Sequence, residues 1–376
     1  MSITPHDERF MAAAIRLSRW HLGRTATNPS VGCLIVRDGV IVGRAVTALS
    51  GRPHAETQAL AEAGALARGA TAYVTLEPCS HHGRTPPCSE ALIAYGVARV
   101  VISVTDPDPR VSGRGIGMLR EAGIEVDAGV LEAEGRQSLA AYLTRQTKNR
   151  PYVTLKLAVS ADGMIGREGA GQVAITGPEA RAQVQALRAE TDAILVGIGT
   201  AIADDPLLTV RAPGLQSRSP IRIVLDPSLA LPLTSKLVET AREVPVIVVA
   251  SEEASLLESE GGNTPADAAE MESRRAALEA AGVEVVHCNP YHPEVLLPAL
   301  ATRGISSLLV EGGAKTARLF LEAGLVDRIQ LYQAPVVIGE GGIESPLDAT
   351  DIPSGFAHTG TLMFGEDRLD EYERGL

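Results

Sequence analysis

Pro53-His54-Ala55-Glu56, followed downstream by Glu77-Pro78-Cys79 and then Pro87-Cys88, are the stretches that decide how this chain reads. One imidazole and two thiolates can hold a tetrahedral Zn²⁺ and leave its fourth position open to water, which is the composition of a catalytic zinc site. Zinc lowers the pKa of such a water towards about 7. Glu56, two residues past the histidine, suits proton transfer from that water to a leaving amine rather than metal binding. The expectation is one Zn²⁺ on His54, Cys79 and Cys88, with Glu56 as general acid and base. A structural zinc site competes with this reading, since His81 or His82 could supply a fourth protein ligand. Such a site has no use for a glutamate at that spacing. Cys33 lies in an apolar run and reads as a small buried hydrophobe, and Cys288 as incidental.

Outward from these motifs, strand-like and helical patterns alternate. An amphipathic helix ends near His21, a strand covers 31–36, and Asp38-Gly39 signals a hairpin. A helix over 55–68 and a strand over 70–76 follow, so Cys79 lies just past a strand. Cys88 stands at the mouth of a helix over 89–95, where a helix N-terminus favours the thiolate. Strands over 99–104 and 124–128 flank a helix over 115–121. This alternation implies an α/β sheet covered by helices.

A helix over 132–148 closes the unit, and Asn149-Arg150-Pro151 breaks it, because the residue before proline avoids the helical region. A second series of strands starts at 152–159 and continues near 193–196, 221–225, 244–250, 283–287, 308–310 and 328–334. Helices over 178–190, 274–281 and 314–323 lie among them. The acidic stretch 252–270 reads as a mobile insertion. No internal repeat is visible, so two different domains are expected, 1–148 and 149–376.

Composition narrows the function classes. The 376 residues suit two or three domains of roughly 150 residues each. With 34 basic against 46 acidic residues the net charge is −12, which opposes non-specific binding to nucleic acid or anionic membrane. Aromatics at 3% are too few for a base-stacking platform. No apolar run is long enough to span a membrane, and Asp7, Glu8 and Arg9 stand where a signal peptide would carry its apolar core. Four cysteines are too few for a disulfide-built fold, which points to the cytoplasm.

Eight residues separate Cys79 from Cys88, where nucleic-acid and nucleoside deaminases commonly have two. The stretch Thr75-Leu76-Glu77-Pro78-Cys79 through Pro87-Cys88, with Asn28-Pro29-Ser30-Val31-Gly32-Cys33, resembles the pyrimidine deaminase of riboflavin biosynthesis over residues 5–146. The second half is similar to the reductase fused to that deaminase in the bifunctional bacterial enzymes. The likeness is carried by Lys156-Leu157-Ala158-Val159-Ser160-Ala161-Asp162-Gly163, Val196-Gly197-Ile198-Gly199-Thr200, Ala203-Asp204-Asp205-Pro206, Leu208-Thr209-Val210-Arg211 and Val310-Glu311-Gly312-Gly313-Ala314. The resemblance implies a cytidine-deaminase-like α/β/α zinc domain followed by a dihydrofolate-reductase-like α/β domain. It also implies two reactions on small pyrimidine ribosylamino phosphates: zinc-dependent loss of the 2-amino group, then reduction of the ribosyl to a ribityl group with NADPH. Asn28 and Arg84 would contact the deaminase substrate. Ala158, Ala174, Thr200, Asp204, Gly313, Ala314, Lys315 and Thr316 would line the cofactor. Lys156, Gln172, Arg188, Leu208, Arg211 and Glu311 would meet the reductase substrate, with Arg188 and Arg211 on its phosphate. A homo-oligomer is expected, with neither nucleic acid nor membrane as partner.

Several of these residues have a reading of their own. Gly312-Gly313 follows a buried strand and opens a helix, which makes a phosphate cradle of free N–H groups. Gly197-Ile198-Gly199 lacks the third glycine of the Rossmann pattern. Lys156 stands in an apolar strand, where a buried ammonium needs an anionic partner; the alternative is a strand-end lysine reaching solvent. Arg188 lies on a polar helix face and could instead be solvated. The family carries Ser-x-Trp-Ile-Thr where this chain reads Gln172-Val173-Ala174-Ile175-Thr176, so the tryptophan is absent. A tRNA adenosine deaminase with a C-terminal binding module is the rival enzyme, opposed by charge, aromatic content and cysteine spacing. A zinc-stabilised scaffold is the rival outside enzymology, and it leaves Glu56 without purpose.

Overall fold

Thr4-Pro5-His6-Asp7 starts the first helix by its local chemistry. The Asp7 N–H donates to Thr4 Oγ1 at 3.2 Å and the Thr4 N–H donates back to the Asp7 carboxylate at 2.9 Å, a capping box with proline at the first helical position. The computed structural model describes residues 3–82, 86–108, 112–251 and 265–375. The chain divides into two units, residues 1–150 and 151–375.

The first unit contains α1 (Pro5–Ser18), β1 (Gly32–Arg37), β2 (Val40–Val46), α2 (Ala55–Ala63), β3 (Thr71–Leu76), α3 (Cys88–Tyr95), β4 (Arg99–Val104), α4 (Arg114–Glu121), β5 (Glu125–Ala128), α5 (Glu132–Ser138) and α6 (Ala140–Lys148). Its sheet runs β2-β1-β3-β4-β5, antiparallel around β1 and parallel from β3 to β5. Successive side chains of a strand face opposite ways. Cys33, Ile35, Val74 and Ile102 therefore pack under Ala59, Leu60, Leu92 and Leu119, while Leu34, Val36, Tyr73 and Val101 pack under Met11, Ala14 and Ile15. A sheet covered on both faces needs near-continuous apolar strands, and these strands supply them.

Asp7 is buried on the α1 side. Burial works to raise its pKa, but Arg99, Thr4 and Tyr73 outweigh that and hold the carboxyl well below the usual range. Arg99 also reaches Asp127 at 2.6 Å, so each buried charge is paired. The helix expected over 132–148 is two helices. Leu139 leaves helical geometry between them (φ −100°, ψ 7°) and buries its side chain in the core beside Leu143.

The second unit contains β6 (Tyr152–Val159), β7 (Met164–Arg167), α7 (Pro178–Ala189), β8 (Ala193–Gly197), α8 (Ile198–Asp204), β9 (Ile221–Leu225), α9 (Lys236–Glu239), β10 (Val246–Ala250), α10 (Pro265–Ala281), β11 (Glu284–His287), α11 (Pro293–Thr302), β12 (Ser307–Glu311), α12 (Ala314–Glu322), β13 (Arg328–Gln333), β14 (Gly342–Glu344), β15 (Phe356–Phe364) and β16 (Asp367–Arg374). The main sheet runs β11-β10-β9-β8-β12-β6-β13-β16-β15, and β7 pairs with β14 apart from it. Strands β11 through β13 are parallel, and β16 and β15 close the sheet antiparallel. The chain leaves β6 for β8 and returns to place β12 between them. A crevice beyond the carboxyl ends of strands at such a crossing is where open α/β sheets bind ligands.

Two expectations change here. Of the insertion expected over 252–270, residues 252–264 lie outside the described residues, and 265–270 belong to α10. The last thirty residues, given no assignment from sequence, include the β15–β16 hairpin.

Candidate active sites

In the first unit the metal donors come from three places. His54 precedes α2 in extended backbone, Cys79 lies just beyond β3, and Cys88 is the first residue of α3. His54 Nδ1 stands 3.7 Å from Cys79 Sγ and 3.4 Å from Cys88 Sγ, and the three donor atoms lie within 4.8 Å of one another. Zinc bonds of about 2.0–2.3 Å in tetrahedral geometry put neighbouring donors about 3.6 Å apart, so the cluster fits that ion. The hydrogen bond from Cys88, with help from His54, pulls the Cys79 thiol down to about 4, and the same contact with burial pushes Cys88 up. His54 Nε2 faces away from the thiols, buried and without a partner among the described residues.

Glu56 sits one residue inside α2 and is 4% exposed. Burial pushes its carboxyl up to about 6, with His54 pulling it down and Cys79 pushing it up. A group poised near neutral pH beside a metal cluster is suited to general acid–base work. His81 and His82 are both exposed and stand outside the cluster; His82 lies 3.5 Å from Glu90 instead. The four-ligand structural site is therefore not assembled among the described residues.

The ligand loop is clamped by neighbours whose part was hidden in the sequence. The buried Glu77 carboxylate accepts the N–H groups of Gly113 at 3.0 Å and Ile116 at 3.3 Å, and so holds the start of α4. Gly115 lets that helix approach, since a Cβ there would come within 2.1 Å of the Pro78 carbonyl oxygen. Ser89 donates its N–H at 3.2 Å and its hydroxyl at 3.0 Å to the Cys79 carbonyl. Only the fold reveals these roles, because the partners lie far apart in sequence. Asn28 is half-buried, its loop closed by Thr25, and its side chain lies against Gly51, close before His54. Arg84 lies outside the described residues. Asp106 and Asp108, buried just past β4, also went unremarked in the sequence; burial raises the Asp106 carboxyl, and Tyr142 donates to it at 3.0 Å.

In the second unit a cavity of about 1470 Å³ opens at the crossing of β6, β8 and β12. That exceeds the roughly 300–1,000 Å³ of a single-ligand pocket and leaves room for a dinucleotide and a sugar phosphate together. Every residue expected at the reductase site lines it. Arg188 is not solvated. It donates from Nε at 2.8 Å and Nη2 at 2.9 Å to the two oxygens of Glu311, both side chains being buried, and from Nη1 to the Thr209 carbonyl at 3.4 Å. Lys156 pairs in register with Glu311 from the middle of β6, which removes the strand-end reading. Burial lowers its pKa, Glu311 opposes that, and Arg188 adds to it. Burial works to raise the Glu311 carboxyl, but Arg188 first and then Lys156 hold it below the ordinary value.

Across the cavity, Gly312 and Gly313 take φ of +81° and +72°, conformations that favour glycine. A Cβ on Gly313 would come within 2.8 Å of Thr200 Oγ1. No side chain caps α12, so the N–H groups of Ala314, Lys315 and Thr316 begin the helix free for an anion. This cradle fits a dinucleotide pyrophosphate. Ala158 and Ala174 line the cavity walls, and burial raises the Asp204 carboxyl at the end of α8. Gln172, Leu208 and Arg211 edge a smaller recess of about 200 Å³ with Lys236. The exposed guanidinium of Arg211 makes no hydrogen bond or ion pair among the described residues, while its backbone N–H donates to Gln185 at 2.6 Å.

Known proteins resemble both units. Residues 4–104 match the family described as the cytidine and deoxycytidylate deaminase zinc-binding region, and residues 151–367 the RibD C-terminal domain. The second match removes the rival reading of a tRNA deaminase with a binding module. The riboflavin biosynthesis protein RibD of Aquifex aeolicus is 42% identical over 89% of this chain and 88% of its own length. That of Escherichia coli is 42% identical over 89% of each. A crystal structure from Thermotoga maritima, a diaminohydroxyphosphoribosylaminopyrimidine deaminase/5-amino-6-(5-phosphoribosylamino)uracil reductase, superposes with a TM-score of 0.82 at 34% identity, covering 98% of this chain and 99% of that one. With the metal donors beside a buried glutamate in one unit and the dinucleotide cradle in the other, the chain belongs to the RibD family of riboflavin biosynthesis enzymes, which join a zinc-dependent deaminase and a reductase in one polypeptide.

Proposed function

We propose that the first unit hydrolyses the 2-amino group of 2,5-diamino-6-ribosylamino-4(3H)-pyrimidinone 5′-phosphate. The second then reduces the ribosyl chain to give 5-amino-6-(5-phosphoribitylamino)uracil. The observation that carries the first half is the three-donor cluster with a buried carboxyl beside it. Zinc held by His54, Cys79 and Cys88 supplies Lewis-acid activation of water. The Glu56 carboxylate takes a proton from the attacking water and passes it to the pyrimidine and its departing amino group. Asn28 orients the ring, and Arg84 is assigned to the substrate phosphate.

In the second unit NADPH supplies hydride. Its pyrophosphate would be held by the Gly313 turn and the N–H groups of Ala314, Lys315 and Thr316, with Thr200, Asp204, Ala158 and Ala174 lining the rest of the cofactor. Lys156 and Glu311 face the ribose, and Gln172, Leu208 and Arg211 lie towards its phosphate. Because Arg188 is committed to Glu311, its part is to hold that carboxylate as much as to attract the phosphate.

Incubation with the diaminopyrimidine phosphate and NADPH tests the pair of activities. Ammonia release and NADPH loss are both expected, and ammonia without NADPH loss would refute the second half. Arg211→Ala should raise the substrate KM by the loss of a charge-assisted contact worth roughly 1.5–3 kcal/mol, with NADPH affinity little changed. Weakened NADPH with an unchanged substrate KM would reverse the assignment of the two halves of the pocket.

A cytoplasmic setting accords with four free cysteines, two of them needed as reduced metal ligands. Among the described residues no helix is long and apolar enough to cross a membrane. Self-association is expected along β15, which ends the sheet and exposes Leu362 and Met363. Sedimentation should show a species larger than one chain, and Leu362→Lys should dissociate it.

A further inference from the structure

Arg222, the second residue of β9, is fully buried and has no carboxylate within ion-pair distance among the described residues. A buried guanidinium is costly unless its donors are used, and in Arg222 both Nη groups are used while the Nε N–H has no partner among the described residues. Here Nη1 donates to the Leu207 carbonyl at 3.2 Å and to Thr240 Oγ1 at 2.7 Å. Nη2 donates to the Thr240 carbonyl at 3.0 Å and to the Val244 carbonyl. Burial lowers its pKa only to about 10, so it remains a cation at neutral pH. The bonds at Thr240 and Val244 grip the chain just past α9; the bond to Leu207 grips the rim of the reductase cavity.

That rim is strained. Asp205 takes φ +39° directly before Pro206, and Leu208 takes φ +54°, positions where a side chain is unfavourable. Strained backbone of this kind persists only when its surroundings over-determine it. Helix α9 supplies the rest of the hold. The Lys236 N–H donates to Asp205 Oδ1 at 2.9 Å, and Lys236 Nζ reaches the Asp205 carbonyl at 3.1 Å and Oδ2 at 3.4 Å. The Leu208 side chain is buried in one cluster with Leu237 and Val238.

We propose that Arg222 and Lys236 are positioning residues of the reductase, holding segment 205–208 so that Leu208 and Arg211 face the substrate side of the cavity. The inference rests on the cavity roles proposed above for those two residues. Preorganisation of this kind acts on substrate binding and leaves the cofactor cradle on α12 alone.

The test uses the full chain, with the deaminase as internal control. Arg222→Met should raise the reductase KM for the deaminated substrate about tenfold or more, with kcat falling less, and Arg222→Lys should recover part of the loss. NADPH affinity, read by fluorescence titration, should stay within about twofold, as should deamination, because neither site takes a bond from Arg222 or α9. Lys236 is half exposed, so Lys236→Ala tests the idea even if Arg222→Met does not fold. It should raise KM several-fold, yet add nothing on top of Asp205→Ala, because it acts through that carboxylate. An additive double variant would mean that Lys236 meets the substrate directly, and an unchanged KM in both Arg222→Lys and Lys236→Ala would mean that the loop holds itself; either overturns the inference. If instead Arg211→Ala leaves the substrate KM unchanged, the fault lies in the cavity assignment and not in the anchors.

Discussion

Glu56→Gln lowers deamination by at least about 10²–10⁴-fold, the usual contribution of general acid–base catalysis, while zinc stays bound. The amide keeps the shape and most hydrogen-bonding capacity of the carboxyl, so the buried site should not collapse. It cannot take a proton, and this buried carboxyl stands next to the donor cluster with its pKa near 6, where accepting and returning a proton are both easy. Zinc content by metal analysis should equal that of the unaltered protein, because Glu56 is not among the clustered donors His54, Cys79 and Cys88. Reduction of already deaminated substrate by the same variant should be unchanged. Equal loss of both activities, or loss of zinc, would contradict the division of labour between the two units.

Arg188→Met is expected to cost the second unit about 3 kcal/mol of stability and most of its reductase activity. The substitution leaves Glu311 buried with Lys156 and, more weakly, Arg211 as counter-charges, and that residual attraction keeps the loss at the lower end of the usual range. In the unaltered protein the Glu311 carboxyl is held below its ordinary value, so its contribution is present above the unfolded pKa of about 4.3 and is lost as pH falls through the folded one. Without Arg188, burial raises that carboxyl, and the sign reverses: stability is lost as pH rises from about 4.3. The deficit relative to the unaltered protein should therefore be larger at neutral pH than near pH 4.5. Denaturant unfolding, resolved into the transitions of the two units, reads it directly. Adding Glu311→Gln to Arg188→Met should recover stability but not reduction. A deficit that does not change with pH would mean that Glu311 is not the group left uncompensated.

The two sites differ in how far the sequence discloses them. The metal donors sit at the ends of adjacent elements: the start of α2, the end of β3 and the start of α3. Short connections bring them together, so spacing alone predicts the cluster. The residues themselves show Arg188 only as a polar helix position, and resemblance places it on the substrate phosphate; its pairing with Glu311 is hidden because that partner lies 123 residues away on another strand. Polar residues on the last strands likewise disguise sheet. β16 reads Asp-Arg-Leu-Asp-Glu-Tyr-Glu-Arg, and its pairing becomes sensible only beside β13, where Glu371 meets Arg328 and Gln330. The break at Leu139 was invisible for a similar reason: the segment 132–148 has ordinary helical composition, and it is the pull of Leu139 into the core that divides it.

The sequence by itself determined the α/β class, the two-unit order, the cluster of three candidate metal donors with a glutamate beside it, and the glycine-opened helix. Each depends on residues close in the chain, whose spacing and backbone freedom act locally. The tertiary structure alone decided which charges are shared. It bound Arg188 to Glu311, kept Lys156 within reach of the same carboxylate, set Glu77 to hold α4 behind Cys79, and fixed segment 205–208 with Arg222 and Lys236. Those pairings join residues from separate strands and helices. Burial makes an unpaired charge so costly that only the completed packing can assign its partner.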